Sequence, residues 1–180
     1  MKETPTNDKA AILPDVLADG LDVVFCGSAA GSASARAGAY YAGPGNRFWP
    51  ILHECGLTPS RLAPHEFRTV LQYGIGLTDL SKYQSGADSA LDAGGDDSAA
   101  LAAKVSVRAP RILAFNGKRA AAVFLRQTLE CEIEDYGLQQ QTLGGVAIFV
   151  LPSTSGAARR WWDAAPWRSL GDYVRRAALT

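Results

Sequence analysis

The stretch Leu21-Asp22-Val23-Val24-Phe25-Cys26-Gly27, with the small residues Ser28-Ala29-Ala30-Gly31 behind it, decides the fold. An apolar run of this length, closed by a glycine, reads as a buried strand. The Gly-, Ala- and Ser-rich residues 28–45 that follow are too many, and too small, for a simple connection. Long loops after strands commonly carry function.

Outward from this strand the pattern repeats. Residues 47–55 space their apolar side chains as a helix does, with Gly56 as its stop. Residues 73–80 predict a second strand, and the Ser/Gly/Asp-rich residues 85–98 a mobile loop. A helix over 99–108, a strand over 111–115, a helix over 118–128 and a strand over 146–151 follow. A closing helical segment over 159–178 is expected to break near Pro166. Strands alternating with helices specify an α/β fold, three-layer α/β/α, around a central, mainly parallel four-stranded sheet. Residues 1–180 are read as one domain, with 1–13 a flexible or peripheral N-terminus. Ligands of such folds gather at the carboxyl ends of the strands. The segments opening at Gly27, Asn116 and Pro152 each follow a strand, so they should share one rim.

Composition narrows the partners. The 180 residues hold 18 Lys/Arg and 18 Asp/Glu, a net charge of zero, which argues mildly against nucleic acid. The total conceals an asymmetry, because residues 1–103 hold 7 basic against 12 acidic side chains and residues 104–180 hold 11 against 6. One end of the fold can therefore present a basic face. Cys26, Cys55 and Cys131 are odd in number and lack C-x-x-C spacing, and no secretory leader is evident, so reduced thiols and a cytoplasmic location are expected. No apolar run approaches the roughly 18 residues of a membrane span. Neither G-x-G-x-x-G nor a P-loop is present, which leaves a small-molecule-binding α/β reading only the neutral charge and the loose first loop.

Gly27-Ser28-Ala29-Ala30-Gly31-Ser32-Ala33-Ser34-Ala35, followed by Gly43-Pro44-Gly45-Asn46-Arg47-Phe48-Trp49, resembles the first motif and next helix of the mismatch-specific uracil-DNA and thymine-DNA glycosylases, in the uracil-DNA glycosylase superfamily. Gly76-Leu77-Thr78-Asp79-Leu80, Phe115-Asn116-Gly117-Lys118 and Leu151-Pro152-Ser153-Thr154-Ser155-Gly156 look like that family's later landmarks, in the right order, so that the resemblance spans residues 20–177. It implies a monofunctional enzyme that hydrolyses the N-glycosidic bond of uracil in DNA, leaving an abasic site and free uracil for base excision repair. DNA, expected to be double-stranded, is the partner; the protein would act as a monomer, with no membrane, cofactor or metal. The branches with an iron–sulfur cluster need four cysteine ligands, and three cysteines are present. Other branches place a histidine where Ser153 stands, and His53 and His65 fall away from every motif.

A base inside a duplex must be swung into a pocket before it can be attacked, at a cost of a few kcal/mol that the pocket must return. Tyr41 matches the family's stacking aromatic, with Tyr40 as its competitor, and accepting thymine would require room for a methyl group around Ala33, Ser34 or Tyr41. Gly27 and Ser28 open a turn whose backbone N–H groups can approach the departing uracil and stabilise its charge. Asn46 and Ser153 complete the expected substrate contacts. The loop of Ser153, Thr154, Ser155, Gly156 and Ala157 resembles the segment that enters DNA at the lesion, with Arg159 and Arg160 as plugs or phosphate contacts and Lys118 as a further phosphate contact. Trp161, Trp162 and Trp167 are expected mainly in the core.

One position departs from the family. Its first motif usually carries an asparagine that activates water, and here Ala29 stands in that place. Stabilising the leaving group alone can carry a dissociative cleavage, or Asp79, closing the second strand, can take over the water. The alternative is a module that binds damaged DNA without cutting it.

Overall fold

The structure is a computed structural model and describes residues 10–179. Residues 1–9 of the expected peripheral N-terminus lie outside the described residues; Leu13, at the end of that stretch, is buried in the core.

Four strands form the parallel part of the sheet: β1 (Val23–Gly27), β2 (Ile75–Asp79), β3 (Ile112–Asn116) and, numbered in chain order, β5 (Val146–Leu151). Every residue in them is buried, as expected when helices cover both faces of a parallel sheet. Successive side chains of β1 go to opposite faces. Val23 and Phe25 join the core that holds Phe48, Phe149 and Trp167, whereas Val24 and Cys26 join the core of Leu113, Phe115 and Phe124.

The sheet has five strands, not four, in the order β2-β1-β3-β5-β4. The additional β4 (Gly137–Leu143) runs antiparallel to β5 at the edge. Its sequence, Gly-Leu-Gln-Gln-Gln-Thr-Leu, lacks the apolar run that marked the others because an edge strand needs only one covered face. Gly144 and Gly145, with φ of 56° and 91°, make the two-residue hairpin turn into β5.

Helices α1 (Ser32–Ala37), α2 (Phe48–Glu54) and α5 (Ala165–Ala177) pack on the first face, and α3 (Ser98–Arg108) and α4 (Lys118–Leu129) on the second. The first long loop thus contains a six-residue helix, ended by Gly38 in the left-handed region. The closing segment divides differently from its expectation. A 3-10 turn (Gly156–Trp161) precedes α5, and Pro166 lies in the first turn of α5, where a missing N–H costs nothing, so it starts the helix rather than breaking it. Of the three tryptophans there, Trp167 is fully buried, Trp162 is half-buried, and Trp161 is 71% exposed, which corrects its placement in the core. The loop expected to be mobile is tied down: Gln84 exchanges two hydrogen bonds with the backbone of Asp92, and Arg119 grips Asp96 with two.

Parallel strands share a direction, so Gly27, Asp79, Asn116 and Leu151 end on one rim. Gly27 is in register with Asp79, and Asn116 with Leu151.

Gly171, inside α5, tests how closely that helix sits on the core. Replacing a helical glycine by alanine ordinarily stabilises by about 1 kcal/mol. Here the added Cβ would lie 2.6 Å from the carbonyl oxygen of Cys55. Gly171→Ala is expected to lower stability, by about 1–3 kcal/mol in urea denaturation.

Candidate active site

The rim of the sheet opens into a cleft of about 500 Å³. It is lined by Leu13, the turn after β1 with the start of α1, the stretch from Tyr40 to Asn46, the end of β2 with residues 86–89, Asn116 at the end of β3, and the loop after β5. The volume lies in the range of pockets that take a small ligand.

Asp79 closes β2 at the floor and is 5% exposed. Its carboxylate occupies the space that a side chain on Gly27 would fill. A Cβ at Gly27 would stand 2.7 Å from Asp79 Oδ1 and 3.4 Å from the Tyr41 hydroxyl, so glycine is required here to let three groups converge. The nearest cations are engaged elsewhere: Lys82 and Lys104 both pair with Asp15, at 2.8 and 2.6 Å. Burial, only partly offset by those lysines, pushes the Asp79 carboxyl up to about 6. Asp15 is partly buried as well, yet hydrogen bonds from Lys104, Lys82 and Thr78 outweigh that and hold it below the usual carboxylate range.

Tyr41 adopts a left-handed backbone (φ 54°), rare for a residue with a side chain. Its ring stacks on Phe48, with centroids 3.9 Å apart at 27°, so one face is backed by the core. The Tyr41 hydroxyl end is buried and forms no hydrogen bond of good geometry. Burial and then the Asp79 charge push that hydroxyl well up, while the Asn116 side chain beside it acts the other way. Tyr40, its competitor, has its ring in the core and its hydroxyl donating to the carbonyl of Pro14. Tyr40 and Tyr41 both line the cleft, and Tyr41 is the less buried of the two.

The loop after β5 is fixed by Asn116, a residue to which the sequence pattern alone assigns no role. The Asn116 Nδ2 donates to Thr154 Oγ1 at 2.8 Å, and the Thr154 N–H donates to Asn116 Oδ1 at 3.0 Å. Asn116 itself lines the cleft, with an N–H and a lone pair to spare. Its position, at the end of an apolar strand before Gly117 with φ 109°, was the signal for it. Ser153 and Ser155 line the cleft too, and the Ser155 hydroxyl accepts from the Ala157 N–H, capping the 3-10 turn. Gly156 lies against Pro44: an added Cβ would come 2.8 Å from the Pro44 carbonyl oxygen.

The remaining expected residues divide. Ser28, Ala29, Asn46 and Ala157 line the cleft, and Asn46 Oδ1 also accepts the N–H of Phe48, the first residue of α2. Arg159, Arg160 and Lys118 are outside the lining; Arg160 stacks on Trp161 at 5.5 Å and Lys118 on Tyr136 at 4.2 Å. His53 faces the Thr58 carbonyl and His65 is exposed, both away from the cleft. Among the described residues no cluster of three His, Cys, Asp or Glu could hold a metal ion, and no helix is long and apolar enough to cross a membrane.

Comparison with known proteins agrees with this geometry. The family model of the uracil DNA glycosylase superfamily matches residues 14–171. The solution NMR structure of a putative uracil DNA glycosylase from Methanosarcina acetivorans matches with a TM-score of 0.62 at 25% identity, over 93% of this chain and 98% of that one.

A carboxylate held at about 6 in a buried place works against folding once it is ionised. The native state binds the Asp79 proton more tightly than the unfolded chain does, so its contribution to stability is full below about 4 and is lost as pH rises through about 6. Asp79→Asn is expected to stabilise the protein by about 2 kcal/mol at pH 7.5, with the gain shrinking toward pH 4, in denaturation curves recorded across that range.

Proposed function

The chain belongs to the uracil DNA glycosylase superfamily, and from that premise we propose that it hydrolyses the N-glycosidic bond of uracil in duplex DNA in the manner of the mismatch-specific branch, with Asp79 in the role of the missing asparagine. The observation that carries this reading is the buried carboxylate of Asp79 set against Gly27 at the floor of the cleft. Ala29, the residue in the family's water-activating position, offers only a methyl group to the same cleft. Asp79 lies in register with Gly27, two residues before Ala29, and so reaches the same space from the neighbouring strand.

In this mechanism the flipped uracil stacks on one face of Tyr41, whose other face is backed by Phe48. The spare N–H and lone pair of Asn116 meet the edge of the base. As the bond from the sugar C1′ to the uracil N1 breaks, its electron pair leaves with the base. Backbone N–H groups of the turn at Gly27 and Ser28 stabilise the resulting anion. Water bound to Asp79 adds its oxygen to C1′ and gives a proton to the carboxylate, which returns it through solvent to the uracil anion, so that neutral uracil leaves and Asp79 is ionised again. The products are free uracil and an abasic site, and a single copy of the chain suffices for the reaction. Ser153 and Ser155 hold the phosphates beside the flipped nucleotide, supported by Arg159; Thr154, expected among these contacts, is buried and bonded to Asn116, so it positions the loop rather than touching DNA.

Excision from a duplex with one G·U pair, under single-turnover conditions, tests the reading. The native protein should release uracil, and Asp79→Asn should be slower by about 100-fold or more, the usual scale of a lost general base. Since the carboxylate works ionised, the native rate should rise with pH and level off above about 6. Equal rates for native protein and variant would assign catalysis to leaving-group stabilisation alone. Absence of release by the native protein from any uracil substrate would leave a lesion-binding module. Gly27→Ala, whose methyl displaces the Asp79 carboxylate, should fold and lose excision to a similar degree.

A further inference from the structure

We propose that Trp161 is the side chain that enters the base stack where the flipped nucleotide leaves, in place of the short Ala157; this rests on the glycosylase reading above. A lone exposed aromatic needs no explanation in itself. The placement and company of this one do. Trp161 ends the 3-10 turn that begins at the cleft-lining Gly156. In a 3-10 helix side chains three residues apart eclipse one another, at a rise of about 2 Å per residue. Trp161 therefore projects from the same side as Ala158, whose residue lines the cleft, about 6 Å further along the turn. Trp161 itself stands just beyond the cleft-lining residues, which end at Ala158.

The two adjacent tryptophans have opposite surroundings. Trp162 turns inward, its ring 6.3 Å from that of buried Trp167 and its outer face covered by the Arg47 guanidinium at 5.2 Å. Trp161 is 71% exposed, more than any other aromatic residue among those described. Trp162 thus anchors the turn while Trp161 stands out from it. The base of the turn is held by the Ser155 cap, by the Asn116–Thr154 pair and by the Arg47 N–H donating to the Thr154 carbonyl. An indole on a fixed base loses little freedom when it stacks, and it offers a flat area close to that of a base. The Arg160 guanidinium, stacked 5.5 Å from the indole, brings a cation to the neighbouring phosphates. Ala157 and Ala158 flank the path without obstructing it.

The test uses the tryptophan emission of the protein, which falls when an indole stacks on a base, with duplexes carrying a single uracil, together with excision from duplex and single-stranded oligonucleotides. Binding should quench the emission of native protein, and Trp161→Ala should lose most of that quenching. The ratio of duplex to single-strand excision should fall about tenfold in Trp161→Ala, the scale of one lost base–aromatic stack, and largely return in Trp161→Phe. A pyrene nucleotide opposite the uracil fills the vacated space itself, so it should restore the Trp161→Ala ratio to within about twofold of native. A variant that matches native protein in quenching and ratio overturns the proposal, as does a loss that pyrene does not repair. If native protein excises nothing, the glycosylase reading falls, and the quenching comparison still decides the role of Trp161.

Discussion

The site depends on one absent atom. Because Gly27 has no Cβ, the end of β1 leaves room for the carboxylate that the in-register residue of β2 brings to the same rim. The parallel sheet supplies the register, and burial on both faces makes the register strict, since a slip of one residue would turn Asp79 to the other face and put Thr78 or Leu80 in its place. Fold and chemistry therefore meet at a backbone position, and the Tyr41 hydroxyl joins it only because the same gap is open.

A buried acid needs an environment that leaves it uncompensated, and the neighbouring charges provide one. Two lysines lie close enough to influence Asp79, and either could have formed an ion pair that held its proton affinity low. Asp15 takes both. The triad of Asp15, Lys82 and Lys104 satisfies itself, with Thr78 and Tyr40 as further hydrogen-bond partners, and leaves Asp79 governed mainly by desolvation. Thr78 donates to Asp15 while Asp79, next in the chain, faces the cleft, so the alternation along β2 separates the paired carboxylate from the unpaired one.

The fold was legible wherever burial was complete. The parallel strands announced themselves as apolar runs because nothing polar can alternate along a strand covered on both faces. Edge strand β4 was not legible for the converse reason, and its Gly-Gly hairpin was the one local sign of it. At the site, Gly27, Asp79 and the loop of Ser153–Ala157 could be read because each directly follows or ends a strand, and strand ends share a rim by topology. What could not be read was orientation. Adjacent Tyr40 and Tyr41 differ in which way each ring turns, and a left-handed φ at Tyr41 decides it. Trp161 and Trp162 differ in the same way, through a 3-10 turn that no apolar spacing foretold. Asn116 depends on a partner 38 positions away, a contact that exists only after folding.

The zero net charge, which by itself weighs mildly against a polyanion, takes another meaning once the charges are placed. Many of the acidic residues of the first half are used internally or on one wall: Asp15 within its triad, Asp96 against Arg119, Asp97 as the cap of α3, and Asp88 on the lining beside Gly86. Arg159 and Arg160, two of the 11 basic residues of the second half, ride on the 3-10 turn that follows the lining. Local charge of opposite sign thus stands at Asp88 and at this turn. Such a field orients a polyanion as well as holding it, and it does so with no net charge at all, because phosphates respond to local potential within a Debye length of about 8–10 Å rather than to the total. Arg159 and Arg160 share that turn with the exposed indole of Trp161, so positive charge and a flat apolar surface sit together.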